Sequence, residues 1–225
     1  MLPDATQLAA ILGAIGALGA AASGLVDTTK WFTRGISHVG LKTIRAQIKP
    51  FDALLATIPE NAAFETINGL WINGTAIGDQ KAKVKALIKL GLQPATVEAL
   101  ARATGLDREA LNTLAQKIAT GTDLTPAEVN IYGHLDAILS AVIDAAYEKA
   151  DQHYRNAAKL LAAAIAVVLA LVGGYAVSTP FDTKHLLLAV LVGLVATPLA
   201  PVTKDLTSAL SVAVQASGKL RALVQ

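Results

Sequence analysis

Three long runs of apolar residues, set apart by one extended stretch of mixed character, organise this chain. They lie at residues 6–28, 157–177 and 186–202. The first contains LAAILGAIGALGAAASGLV, the second LLAAAIAVVLALVGGYAV and the third LLLAVLVGLVATPLAPV. A helix needs roughly 20 apolar residues to cross a hydrocarbon core of about 30 Å. The first two runs meet that length and the third is marginal. The pattern therefore predicts an all-α integral membrane protein with three transmembrane helices and a helical cytoplasmic domain. Transmembrane helix 1 is expected within 1–28, the cytoplasmic domain with its juxtamembrane segment over 29–156, and transmembrane helix 2 over 157–177. A short external turn over 178–185 leads to transmembrane helix 3 over 186–202, and a C-terminal cytoplasmic amphipathic helix occupies 203–225. No basic residue precedes the first run, so it is expected to stay as a membrane helix rather than be removed as a signal peptide.

Orientation follows from the basic residues. Lys30, Arg34, Lys42, Arg45 and Lys49 follow the first run, and Lys149, Arg155 and Lys159 stand at the start of the second. The turn between the second and third runs carries only Asp182 and Lys184 among charged residues. The positive-inside rule then places the long polar stretch and the C-terminus in the cytoplasm, with the N-terminus outside. Trp31 and Phe32, flanked by Lys30 and Arg34, are expected to anchor the end of span one at the interface, as Arg155 and Lys159 are at the start of span two.

The first run is rich in small residues. Gly13, Gly16 and Gly19 recur every third position, and Gly13/Ala17 and Gly16/Ala20 are small-xxx-small pairs. In lipid, helix association depends on close packing, which such residues permit. Gly13, Gly16, Ala17, Gly19 and Ala20 are therefore expected to pack against another helix, either of the same chain or of a neighbouring copy.

Between the spans the periodicity is helical. An amphipathic helix is expected up to Pro50, followed by a short one over 51–58. NAAFETINGLWINGTAIGD contains two Asn-Gly pairs, which predict a small hairpin or an irregular loop with Trp71 tucked into the core. From Asp79 to Thr120 three short helices are expected, the first presenting Val84, Leu87 and Ile88 on one face and Lys81, Lys85 and Lys89 on another. The stretch TVEALARATGLDREALNTLAQKI resembles the two core helices of a helix-turn-helix module, with Asp107 as an N-cap. As a DNA reader it would offer Arg108, Asn112, Gln116 and Lys117 to the major groove, interrupted by Asp107 and Glu109. Thr125-Pro126-Ala127-Glu128 marks the start of a long helix with no breaker before Gly173-Gly174, expected to pass from the cytoplasmic domain into span two. Ile131, Leu135, Ile138 and Val142 give it a seam at spacings of four and three.

Composition narrows the function. Of 225 residues, 53% are hydrophobic and only 16% charged, against about 25% charge in soluble domains, and the deficit is what three spans produce. Net charge is +2, and from Lys30 to Tyr154 13 Lys and Arg balance 13 Asp and Glu, so nucleic acid is an improbable partner. With no cysteine, thiolate metal sites, disulfides and cysteine nucleophiles are excluded. His38, His134, His153 and His185 lack the i,i+4 spacing that a helical metal site requires, and no phosphate-loop, dinucleotide or nucleophile-elbow motif occurs. No catalytic residue, cofactor or metal is expected. Asn73-Gly74-Thr75 matches a glycosylation sequon that a cytoplasmic position would leave inert. The leading expectation is a non-enzymatic, homo-oligomeric scaffold of a bacterial-type inner membrane that organises a larger assembly, in contact with the lipid bilayer and with other proteins. The alternatives are a holin-like pore and a membrane-tethered regulator.

Overall fold

The structure is a computed structural model and describes residues 5–29, 35–178 and 180–201. Among these residues the fold is helical throughout, with no strand. The α-helices are α1 (Ala5–Thr28), α2 (Ser37–Ile48), α3 (Asp52–Leu55), α4 (Ala62–Ile72), α5 (Ile77–Leu90), α6 (Val97–Thr104), α7 (Arg108–Thr120), α8 (Pro126–Val177) and α9 (Thr183–Pro201). Short 3-10 turns at Lys49–Phe51, Pro59–Asn61 and Pro94–Thr96 link the smaller helices. The chain forms two compact units, one of Met1–Lys30 with Asn156–Gln225 and the other of Trp31–Arg155.

In the unit Trp31–Arg155, helices α2 to α7 and the first part of α8 enclose one continuous apolar core. Ile44, Ile48, Phe51, Leu54, Leu55, Ile67, Ile88, Leu100, Leu111, Leu114, Leu135 and Tyr147 are all essentially inaccessible. Burial of each such side chain stabilises by about 1.5–3 kcal/mol before entropy is charged against it. Local signals set the helix ends. Asp107 accepts from the Ala110 amide at 2.8 Å and caps α7, while Gly105 and Gly121 close α6 and α7 in left-handed conformations with φ of 72° and 67°. Thr125 and Glu128 exchange bonds at the start of α8: the Thr125 amide donates to Glu128 Oε2 at 2.7 Å, and the Glu128 amide donates to Thr125 Oγ1 at 3.4 Å.

Three expectations are corrected. AAFETINGLWI is neither hairpin nor loop but helix α4, because Ala63 and Ile67, one turn apart, are fully buried and outweigh the turn preference of Asn68-Gly69. Only the second Asn-Gly acts as a stop: Asn73 caps α4, and Gly74 follows at φ 66°. Helix α8 runs through Gly173-Gly174 to Val177, 52 residues and about 78 Å at 1.5 Å per residue. In an apolar stretch the backbone has no better bonding partner than its own helix, so two glycines do not break it. The buried stripe of α8 is Leu135, Leu139, Ile143, Ala146, Tyr147 and Ala150, turned by about one position from the expected seam. Leu135 belongs to it, Ile131 and Val142 flank it, and Ile138 stands half-exposed at its margin.

Candidate functional site

The apolar unit contains three helical segments long and apolar enough to cross a membrane: α1, the end of α8, and α9. The acidic and basic residues of α8 all precede residue 160, and those described in α1 and α9 lie at the helix ends. The surface of these segments is largely apolar. Leu160, Val168, Val172, Tyr175 and Val177 on α8 and Leu187, Leu188, Leu191 and Leu194 on α9 are all exposed. An exposed apolar array of this extent marks a membrane or partner surface.

Packing inside this unit uses small residues. Ala22, Ala166 and Ala196, one from each segment, are buried together, with Ile15, Leu18 and Ile165 around them. Gly19 lies so close to α9 that an added Cβ would run into the carbonyl of Ala196 and the side chain of Ala200. Gly193 of α9 meets the backbone of Val167 on α8 in the same way. These are backbone approaches that a larger residue would prevent. Ser23 Oγ donates to the Gly19 carbonyl at 2.9 Å, so the α1 hydroxyl is satisfied within its own helix.

The five small residues expected to make helix contacts therefore divide. Gly16 and Gly19 are buried, Gly13 is half-exposed, and Ala17 and Ala20 are exposed. Among the described residues, a Cβ at Gly13 or Gly24 would meet no atom within 4 Å. Small residues thus cover two faces of α1, and intrachain packing uses one of them. A cavity of about 350 Å³ opens among the three segments, with a lining mostly of Leu, Ala, Ile, Val and Gly and with Ser178 and His185 as its polar members. Beside it, Asp182 caps α9, accepting from the Lys184 and His185 amides at 3.0 Å. The His185 backbone bond, followed by its side-chain contact, holds the Asp182 carboxyl below its usual range.

Of the interface residues expected from sequence, Lys30, Trp31, Phe32 and Arg34 lie outside the described residues, as does the segment 203–225. Arg155 is exposed and pairs with Asp151 at 2.8 Å, and Lys159 is exposed.

In the polar unit, one relationship was invisible to sequence reasoning. Lys81, Lys85 and Lys89, spaced four apart on α5, meet acidic residues on α8 instead of facing solvent alone. Lys81 pairs with Asp144 at 3.0 Å, Lys85 with Asp136 at 3.1 Å and Ser140 at 3.2 Å, and Lys89 with Asp136 at 2.6 Å. Lys89 also stands over the Tyr132 ring, 4.4 Å from its centroid. The Lys89 bond, then the Lys85 bond, holds the Asp136 carboxyl below its ordinary value. Partial burial opposes the charge on Lys89, but the Asp136 and Tyr132 contacts outweigh it and raise its pKa. The signal was available in the matching four- and eight-residue offsets of Asp136, Ser140 and Asp144, once α5 and α8 are known to be neighbours.

The polar side chains of the helix-turn-helix-like pair α6–α7 divide: Arg108 and Gln116 are exposed, and Asn112 and Lys117 are half-buried. Arg108 pairs with Glu98 at 3.2 Å at the surface, and Lys117 pairs with Glu128 at 2.7 Å. Glu128 is pulled down to about 2, first by Lys117 and then by the Thr125 amide. Among the described residues no group of three or more His, Cys, Asp or Glu side chains is placed to hold a metal. Comparison of the chain with protein-family models, with curated proteins and with solved structures found no match.

Proposed function

We propose that this chain is a non-enzymatic membrane scaffold that associates with copies of itself through α1 and holds its polar helical unit at a bacterial-type inner membrane. The distribution of basic residues supports an N-terminus outside, with the polar unit and the C-terminus in the cytoplasm. One observation supports the self-association: Gly13, Ala17, Ala20, Ala21 and Gly24 form a small-residue surface of α1 that is half-exposed at Gly13 and exposed at the other four among the described residues. A face meant for lipid alone gains more from Leu, Ile or Val, and a face of Gly and Ala suits the close approach of another helix. The polar unit is then the part presented to other proteins of an assembly.

The test is a set of leucine substitutions read out by energy transfer between differently labelled copies in liposomes. Ala21→Leu and Gly24→Leu, on the open face, are expected to lower transfer at least several-fold while leaving helix content unchanged. Transfer that survives both substitutions would overturn the α1 contact. Gly19→Leu serves as the contrast, because it strikes Ala196 and is expected to damage the unit itself.

A further inference from the structure

We infer that Asn73 is a site of spontaneous covalent modification, converted through a cyclic imide with Gly74 to isoaspartate and aspartate, and that the fold withholds the same reaction from Asn68. The chain carries two copies of one reactive element. Ile67-Asn68-Gly69 and Ile72-Asn73-Gly74 have the same residues in the same order, whereas Asn61, Asn112, Asn130 and Asn156 are each followed by a residue with a Cβ. A glycine after asparagine leaves the next backbone nitrogen uncrowded and its dihedrals free.

That nitrogen, once solvent base has taken its proton, attacks the side-chain Cγ. A new C–N bond closes the imide, the bond from Cγ to the side-chain nitrogen breaks, and that nitrogen leaves as ammonia after taking a proton from water. Water then adds at an imide carbonyl. Opening at the backbone carbonyl leaves isoaspartate, and opening at Cγ leaves aspartate. In sum the site consumes a water and releases an ammonia, with nothing oxidised or reduced.

The two copies differ in where the fold puts them. Asn68 lies inside α4, next to the fully buried Ile67, and its Oδ1 is shut off from solvent. The Gly69 amide belongs to the helical hydrogen-bond ladder, so closing a ring there requires the middle of α4 to open. Asn73 instead is the C-cap of α4, at φ −74° and ψ −5°, and is exposed. Gly74 follows at φ 66°, where a Cβ would meet no atom of the described residues within 4 Å. The Gly74 amide donates to the Trp71 carbonyl at 3.2 Å, the long end of the range for such bonds, and the Thr75 amide donates to the Leu70 carbonyl at 3.1 Å. Releasing these two terminal bonds frees ψ of Asn73 to bring Cγ to the nitrogen, and helix ends open at far lower cost than helix interiors. Either product sets a carboxylate at the C-terminal end of α4, where the helix dipole disfavours it, in a stretch from Ile72 to Gly78 that otherwise carries no charge. Isoaspartate also lengthens the main chain by a methylene just before Thr75, whose carbonyl accepts from the buried Gln80 side chain at 2.6 Å. The reaction therefore alters the junction between α4 and α5.

The test holds the full-length protein in lipid particles in mildly alkaline buffer, well below its unfolding temperature, and samples it over weeks. Digestion with an acid protease and fragmentation of the peptides assign the mass gain of amide-to-carboxyl conversion to each asparagine. Enzymatic methylation of isoaspartate identifies the product. A parallel sample in guanidinium chloride gives the rate at each site without the fold. Asn73 is expected to react at least several-fold faster than Asn68 in the folded protein, with nearly equal rates in denaturant, and Asn73→Gln should abolish the fast isoaspartate signal. Equal rates in the folded protein would show that the fold does not choose between the two sites. A folded Asn73 as inert as Asn68, while both react in denaturant, would show that the turn is closed to the reaction. Either result overturns the inference.

Discussion

The Trp71 indole donates to the Ser37 carbonyl at 2.8 Å, joining residues 34 positions apart and pinning α4 to the first turn of α2. The same ring meets Tyr147 at 6.1 Å and Tyr154 at 6.2 Å, both edge-on. Replacing Trp71 with Phe removes the donor and leaves the Ser37 carbonyl with its bond inside α2, at a cost of about 1 kcal/mol. Gly40→Ala presses a methyl into the indole and is expected to destabilise comparably. The two effects share one cause, so Trp71→Ala combined with Gly40→Ala should cost less than the sum of the single changes. Urea unfolding in mild detergent measures the cycle, and simple additivity would mean that the ring and α2 are not in contact.

Asp136 receives two lysines, so its removal strands both. Asp136→Asn is expected to cost about 1 kcal/mol, since the group is roughly one-third exposed and screened. Asp144 is 55% exposed and has one partner, and Asp144→Asn should be close to neutral. The pH signs differ for the two ends of the ladder. Asp136 has a lowered folded pKa, so its contribution is present above the unfolded value near 3.9 and disappears as pH falls through the folded value. Lys89 has a raised folded pKa, so its contribution is present below about 10.4 and disappears as pH rises through the folded value. Asp136→Asn should remove the acidic dependence and weaken the basic one, which Tyr132 also supports, and an unchanged stability profile would show that the ladder is energetically idle.

Glu128 gives a sharper window. Its folded pKa of about 2 lies below the ordinary 4.5, so the stabilisation it provides is complete above pH 4.5 and lost as pH falls towards 2. Glu128→Gln should be less stable than the parent at neutral pH and converge with it near pH 2. Parallel curves across that range would remove Glu128 from the cap of α8 and from the Lys117 pair.

The phase of α8 is tested by two aspartates. Ile143→Asp buries an unpaired charge at a position 1% exposed and is expected to unfold the polar unit, giving rapid proteolysis after α7. Ile138→Asp, at the margin of the stripe, should leave most of the protease resistance intact. The reverse result would restore the seam of Ile131, Leu135, Ile138 and Val142.

Much of the fold was legible because single residues dictate it. Asp107 and Thr125 each impose a cap that neighbours do not alter, and the length of an apolar run is a property of sequence alone. What stayed hidden depends on partners. Helix α4 forms against the local preference of Asn68-Gly69 because Ala63 and Ile67 have a core to enter. The lysines of α5 read as a solvated face until Asp136 and Asp144 stand opposite them. The α8 stripe shifts because a seven-residue pattern of Ile, Leu and Val also admits Leu139 and Ile143, and only the facing helices choose between them. On α1, sequence could name the small residues but could not tell which glycines serve the chain's own packing. Gly19 does, against Ala196, whereas a Cβ at Gly13 or Gly24 meets no atom of the described residues.

The native mass of the protein, released from its own membrane in intact lipid particles, tests the scaffold account most directly. The account predicts a homogeneous particle at a multiple of the 23.2 kDa chain mass, with or without further proteins, that Gly24→Leu shifts towards smaller species. A wild-type particle containing a single 23.2 kDa chain and nothing else but lipid would contradict it.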